Sequence, residues 1–346
     1  MNDLTPAEAL LSQIHASWNL GNTLDAIKRG VQPGEYVSPL EAETAWHNPP
    51  VTRTLFRAVK DAGFDAVRLP VTWSQHLNQE NRVDPRWMDR VAQIVDWILN
   101  EGMACFLNVH HDAGAHGWLQ ATDACHASMG SRFDELWRQI AERFQDASEK
   151  LIFEAFNEML DGQEHWTQTQ DAAAYAAHNR WHQRFVDIVR GSGGNNKTRV
   201  LSLQTYSAGT SDRTLSSFCM PKDTEPGRII LQAHNYDPQG FCWLKAEDLR
   251  NTWGSEADIL QIDKLVNDLA AFSQKQDAPI MIGEFGSEDK QNTADRARHA
   301  AYLANKTHSA WIKCFWWDCG HFALFDRHTE KAVQPEIIRA LTAFNG

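Results

Sequence analysis

The sequence predicts the α/β class and, within it, a single closed (β/α)8 barrel (TIM barrel). Three observations carry this prediction. Eight apolar runs of strand length alternate with about eight stretches of helical character along 346 residues. Most of these runs are apolar throughout, as strands are when both faces are covered. The runs also end in polar residues, one after another, which is where barrel enzymes build their sites. An open doubly wound sheet is the competing arrangement. No G-x-G-x-x-G follows the first strand and no G-x-x-x-x-G-K-[ST] is present, so nucleotide loops are not supported. No linker, repeat or low-complexity segment divides the chain, and one (β/α)8-barrel domain over 1–346 is expected.

The first strand is short, Ala16 to Asn22 with its turn, and a long loop containing Pro33-Gly34 follows. Val51, Leu55, Val59 and Ala62 form a helical stripe that Gly63 ends. The second strand is Ala66 to Trp73. A helix from Asp84 to Asn100 has Pro85 in its first turn and Gly102 beyond its end. The third strand is Ala104 to His111, followed by a helix from about Ser131 to Asp146. The fourth strand opens Leu151-Ile152-Phe153-Glu154. Its helix runs from about Asp171 to Val189, into the glycine-rich loop at Gly191. Strand five is Arg199 to Gln204, with a short helical patch near Ser211 to Phe218. Strand six is Arg228 to His234, then a helix from about Ala257 to Gln276. Strand seven is Pro279 to Glu284, then a helix from Thr293 to Ser309. Strand eight is Trp311 to Trp317, and a last helix spans about Pro335 to Phe344.

A formal charge of −12 disfavours a nucleic-acid or anionic-membrane partner, both of which select basic surfaces. A neutral ligand fits better. The 14 tryptophans fit both a Trp-rich core and a cleft whose flat indole faces suit pyranose rings. Trp87, Trp97, Trp137 and Trp181 fall in helical patterns and read as packing. Trp46, Trp73, Trp118, Trp166, Trp243 and Trp253 lie in loops after strands and are candidates for sugar contact. So, more weakly, are Phe322 and Phe325. The six cysteines form no C-x-x-C pair. Cys105 and Cys314 read as buried thiols, and a disulfide among Cys125, Cys219, Cys242 and Cys319 is left open. No run is long and apolar enough to span a bilayer. Met1 to Leu11 lacks the basic start and apolar run of a signal peptide. The expected location is therefore cytoplasmic, or secreted or periplasmic if a signal was removed. A monomer is expected.

Two strand ends carry a carboxylate in an apolar setting, Asn157-Glu158 after strand four and Glu284 after strand seven. A pair of carboxylates is the minimum equipment for hydrolysing a glycosidic bond. The other ends supply Asn19 and Asn22, Arg68, Asn108 with His110-His111-Asp112, His234-Asn235-Tyr236-Asp237, and Trp317-Asp318. His110-His111-Asp112 suggests metal at first sight. Adjacent strand residues diverge, however, and no helical His-x-x-x-His supports it, so no metal is expected. Strand alternation puts Glu154 on the same face as Glu158, toward the interior, where it is expected to be paired, with Arg68 as the candidate partner. The same rule sends neighbours Asn157 and Glu158 apart unless the strand ends or bulges there.

Taken in order, these segments resemble glycoside hydrolase family 5, a family of retaining β-glycanases. The resemblance rests on Trp18-Asn19-Leu20-Gly21-Asn22-Thr23-Leu24-Asp25, Val67-Arg68-Leu69-Pro70-Val71-Thr72-Trp73 and Leu107-Asn108-Val109-His110-His111-Asp112. It continues through Phe153-Glu154-Ala155-Phe156-Asn157-Glu158, His234-Asn235-Tyr236-Asp237-Pro238, Ile282-Gly283-Glu284-Phe285-Gly286 and Trp316-Trp317-Asp318. It implies Glu158 as acid/base and Glu284 as nucleophile. Arg68 and Tyr236 would favour the ionised nucleophile. Asn157 would bind the sugar 2-hydroxyl, and His110 and His234 would orient carboxylates and sugar. Trp317 would be the platform beneath the ring, with Asn22 and His111 as further substrate contacts. No cofactor is implied. The implied reaction is endo-hydrolysis of β-1,4-glucan or mixed-linkage β-glucan, with xyloglucanase or mannanase action as the alternative. A non-catalytic carbohydrate-binding barrel and a metal-dependent hydrolase are rivals of other classes. Two residues depart from the family's habit. Met159 stands where Pro usually follows the acid/base, and His47 stands where Gly is frequent, so His47 is expected to reshape one side of the cleft.

Overall fold

The computed structural model describes residues 4–31 and 35–343. Pro33-Gly34 and Phe344 lie outside the described residues. Eight parallel strands close into a barrel in sequence order: β1 Ser17–Leu20, β2 Ala66–Leu69, β3 Ala104–Asn108, β4 Leu151–Glu154, β5 Leu201–Gln204, β6 Ile229–His234, β7 Ile280–Phe285 and β8 Lys313–Asp318. β1 pairs with β2 on one side and β8 on the other, with Asn19 level with both Arg68 and Trp317. Helices follow the strands, including Pro85–Asn100, Asp123–Arg143, Ala172–Gly191, Glu256–Gln276, Thr293–Ser309 and Pro335–Thr342.

The expected elements are present, with shifted ends. The helix after β3 starts at Asp123 rather than near Ser131, because Thr122 caps it by accepting from the Cys125 N–H. Its first turns are rich in small residues and carry little periodic signal. One of them, Gly130, lies under the Arg184 guanidinium, 2.7 Å from where a Cβ would sit. β8 begins at Lys313, and Trp311 sits in the preceding turn at φ 60 and is exposed. A small antiparallel pair, β9 Phe325–Asp326 and β10 Lys331–Ala332, follows β8 and was not foreseen.

Strand alternation sorts the barrel interior into layers. Ala66, Ala104, Phe106, Ile152, Val200, Ile230, Met281 and Phe315 form an apolar floor, closed from below by Ala7, Leu11 and Ile14 of the lead-in helix Pro6–Ser12 and the turn after it. Two residues farther along the same strands lie Arg68, Asn108, Glu154, Ser202 and Gln232, all buried and polar. One strand-step thus separates a greasy plug from a polar layer, and that layer is the foundation of the site. The other core packs between strands and helices. It takes in Trp18, Trp87, Trp137 and Trp181 as fully buried side chains, with Trp97 packed at its edge.

Candidate active site

Arg68 is the hub of the polar layer and has no exposed surface. Its Nε donates to Glu154 Oε2 at 2.8 Å and its Nη2 to Glu154 Oε1 at 2.7 Å. This is a two-bond fork, the strongest form of the pair. Nη1 donates to Glu284 Oε1 at 2.5 Å and to Asn19 Oδ1 at 3.1 Å, and Nη2 also reaches Asn157 Oδ1 at 2.8 Å. Burial opposes the guanidinium charge, but Glu154 and Glu284 more than offset it and push Arg68 above its ordinary range. The expected Glu154–Arg68 pair is therefore present. Asn108 donates to the same Glu154 Oε1 at 2.9 Å.

β4 ends at Glu154, before Asn157 and Glu158. The chain then bends, with the Asn157 N–H donating to Val109 O at 2.9 Å. Alternation no longer applies, so both side chains serve one pocket. Glu284 reaches the interior by a different device. The register of β7 shifts against β6 and against β8 around Gly283. Such an irregularity re-aims a side chain. Gly283 itself is held small, because a Cβ there would lie 2.5 Å from the Gln232 side chain.

The two carboxylates meet over His234. Its Nδ1 lies 2.8 Å from Glu158 Oε1 and 3.6 Å from Glu284 Oε2. One oxygen of each carboxyl and a His234 ring nitrogen all fall within 4.8 Å of one another. Tyr236 donates its hydroxyl to Glu284 Oε2 at 2.9 Å. Burial and the adjacent Glu284 and Glu158 push the Tyr236 hydroxyl well above its usual range, so it remains a donor. Burial pushes the Glu284 carboxyl up, and Glu158 adds to this, against His234 and Arg68, which pull it down. The nearness of the Glu158 carboxyl is thus one of the causes that hold the Glu284 carboxyl up.

A platform borders the pair. Trp317 lies parallel to His110 at 5.8 Å between ring centroids, and its indole N–H points to Cys319 Sγ at 3.0 Å. Trp316 faces outward, stacks edge-on with Phe285 and donates to Phe322 O. His111 sits at 4.5 Å from the His110 ring and 5.4 Å from the Trp46 ring, with Asp25 Oδ2 3.7 Å away. Burial opposes the His111 cation, but Asp25, helped by Glu158 and Glu284, raises it above its ordinary range. Burial, with His111, Arg68 and His234 nearby, holds His110 well below its own.

The chain that builds this carboxylate pair, Arg–Tyr cradle and indole wall is similar to known proteins along nearly its whole length. A family model described as cellulase (glycosyl hydrolase family 5) matches residues 31–323. The chain belongs to glycoside hydrolase family 5. Endoglucanase A of Clostridium longisporum is 33% identical over 314 residues, covering 90% of this chain and 59% of that protein's own length. A GH5-4 broad-specificity endoglucanase from Ruminococcus champanellensis with bound cellotriose superposes at a TM-score of 0.91 with 34% identity, covering 99% of each chain. A family 5 enzyme of Prevotella bryantii B14, in complex with a xyloglucan tetradecasaccharide, gives 0.90 and 31% identity, covering 100% of this chain and 99% of that one.

Of the residues expected in this family 5 site, Arg68, His110, His111, Asn157, Glu158, His234, Tyr236, Glu284 and Trp317 converge at the barrel mouth. Asn22 does not join the carboxylate network. It is held by its backbone at φ 55, donating to Asp25 and accepting from Asn48. Asn19, three residues earlier and level with Arg68, is the asparagine that enters the hub. Alternation could have picked it, since a residue paired with Arg68 in register shares its face. His110 and His111 do not diverge as strand neighbours would, because β3 already ends at Asn108. With Asp25 they offer three ligand atoms within 4.8 Å, but both Asp25 oxygens accept backbone N–H groups of Asn22 and Thr23 and His110 Nδ1 faces Asn108.

Among the loop aromatics, Trp73 is fully buried and donates to Asn108 O, and Trp253 packs on His299 and Tyr302, so neither is a sugar platform. Phe322 and Phe325 are buried too, as supports of Tyr236 and Trp18. Trp46, Trp118 and Trp243 are half-buried and Trp166 is exposed. Asp112 ties the Trp73 backbone to the Trp118 indole, and Asp318 caps Trp18 and the Leu324 turn. His47 is exposed at φ 68, a conformation glycine favours, beside Trp46. Met159 is buried beneath the loop after β4, where its carbonyl accepts from Ser207. All six cysteines are free.

Proposed function

We propose that the chain is a retaining endo-β-1,4-glucanase acting on cellulose-type or mixed-linkage β-glucan. Glu284 attacks the anomeric carbon while Glu158 protonates the departing glycosidic oxygen. Glu158 then takes a proton from water, which releases the sugar from Glu284 with its configuration retained. The observation that carries this reading is the approach of Glu158 and Glu284 oxygens to within 4.8 Å. Retaining pairs stand about 5–5.5 Å apart, whereas inverting pairs leave about 6.5–9.5 Å for a water. The roles follow from the donors. Glu284 receives Arg68 and Tyr236, which stabilise an anion, while Glu158 is one-fifth exposed and faces the cleft. Asn157, held by Arg68, offers its amide N–H to the sugar 2-hydroxyl, and Trp317 supports the ring.

The test has two parts. Glu284→Ala should abolish turnover of every glycoside. Glu158→Ala should lose about 10²–10⁴-fold on polysaccharide yet keep its first step on an activated aryl cellobioside, whose leaving group needs no proton. Proton NMR of the first-formed product should show the β-anomer; an α-anomer would overturn retention. A panel of carboxymethylcellulose, mixed-linkage glucan, xyloglucan and glucomannan separates the proposed specificity from xyloglucanase or mannanase action. Xyloglucan is the rival to watch, given the ligand of the Prevotella bryantii structure.

A further inference from the structure

Below the carboxylate pair runs a chain of three side chains. Ser202 on β5 donates its hydroxyl to Gln232 Oε1 on β6 at 3.0 Å. Gln232 Nε2 lies 3.2 Å from His234 Nε2, two residues along the same strand. The opposite ring nitrogen, His234 Nδ1, lies 2.8 Å from Glu158 Oε1. All three residues are buried.

The order of donors in this chain follows from its carboxyl end, and the Ser202 hydroxyl, able to donate or accept, completes it. Nδ1 faces the oxygens of two carboxyls, Glu158 and Glu284, and is best used as a donor. Nε2 is then an acceptor and needs an N–H, which Gln232 supplies. The Gln232 carbonyl must in turn face a donor, and Ser202 provides it. Gln204, level with Gln232 on β5, does not compete, since neither of its amide atoms has a hydrogen-bond partner. Gly283 presses on the other side of Gln232, where a Cβ would approach to 2.5 Å, so the amide has little room to turn.

We propose that Gln232, held by Ser202, is a positioning residue for the acid/base: it fixes the His234 proton on Nδ1 and so aims that N–H at Glu158. The inference rests on the reading of Glu158 as acid/base. Its chemical consequence concerns which oxygen of Glu158 carries the catalytic proton. With Oε1 accepting from His234, the proton resides on Oε2, the atom free to meet the glycosidic oxygen. If the imidazole proton moved to Nε2, Nδ1 would accept from Glu158 and draw the proton away from the substrate. Which ring nitrogen is protonated is set by the hydrogen bond made by the other, so a single amide behind the ring decides it.

Gln232→Met removes the donor at similar size, and Ser202→Ala frees the amide while leaving Gln232 in place. Each variant, with Glu158→Ala alongside, is assayed on aryl β-cellobiosides of graded leaving group across pH. Nitrogen NMR of the His234 ring reports the tautomer. Gln232→Met should lower kcat, with KM little changed, by about 10–100-fold on poor leaving groups and hardly at all on dinitrophenyl cellobioside. Its Nδ1 signal should lose pure N–H character. Ser202→Ala should do the same to a smaller degree, and Ser202→Thr should restore the wild-type behaviour. Equal losses across all leaving groups, or an unaltered His234 signal in both variants, would overturn the proposal. If Glu158→Ala itself shows no dependence on leaving group, the acid/base reading fails, and the positioning role goes with it.

Discussion

Arg68 holds two carboxylates and two asparagine side chains on one buried guanidinium, and its geometry decides most of the site. The fork to Glu154 anchors it from below, which leaves Nη1 aimed at Glu284. Arg68→Met should therefore act twice. Removing one partner of a buried ion pair strands the other, at a cost of about 3–5 kcal/mol. Here two carboxylates are stranded, so calorimetry at neutral pH should show a clear fall in Tm together with loss of turnover. Arg68→Lys keeps the charge but has no fork, and should recover stability in part and activity very little. An unchanged Tm in Arg68→Met would show that Glu154 and Glu284 do not depend on the pair. At this scale the sequence was informative about partners. A buried Glu154 needed a cation, and Arg68 was the one on the matching face. Asn19 enters the hub because its register with Arg68 puts both on one face, a relation that strand alternation could have suggested.

At the scale of elements, the site depends on where regular strand stops. β4 stops before Asn157-Glu158, and β7 shifts register at Gly283; each departure brings a side chain to the pocket that alternation would have sent away. The seam between β1 and β8 works by close approach. Gly21 donates to Asp318 O, and a Cβ on it would lie 2.8 Å from Trp317 Cζ2 and 3.0 Å from the Asp318 carbonyl oxygen. Backbone cannot give way there, so the indole would have to. Gly21→Ala should leave the far-ultraviolet circular dichroism intact and lower kcat/KM, by up to about 10²-fold if the platform moves by an ångström. Near-ultraviolet dichroism from tryptophan should change in parallel. Full activity in this variant would remove Trp317 as the platform whose position matters.

The whole molecule carries a set of buried histidines whose titration bears on stability. Burial lowers His178 to about 3, and His76 and His299 to about 4. His182, buried and next to His178, is also held well below the ordinary value. His178 and His182 pack against Phe156, the residue preceding Asn157, so they lie directly behind the acid/base loop. The sign follows from linkage. These rings stay unprotonated in the folded chain while the unfolded chain binds protons near pH 6.5, so their contribution is complete above about 6.5 and declines toward pH 3–4. Tm should fall steadily from pH 7 to pH 4, and His178→Phe should flatten that decline. A Tm independent of pH over this range would argue against the buried histidines as its cause.

The sequence by itself determined the eightfold alternation, the two carboxylates and nearly every side chain at the barrel mouth, because continuous apolar runs of strand length and polar strand ends are local signals. It could not determine the hydrogen-bond order through Ser202, Gln232 and His234, the exclusion of Trp73 and Trp253 from the cleft, or the freedom of all six thiols. These depend on which strand lies beside which, where each one ends, and how close two backbones come. Only the closure of the barrel makes Asn19 a neighbour of Trp317 across the β1–β8 seam and brings Glu284 within reach of Glu158. The chain order lists the groups of the site; the parallel register turns them into a pair of carboxyls sharing one histidine.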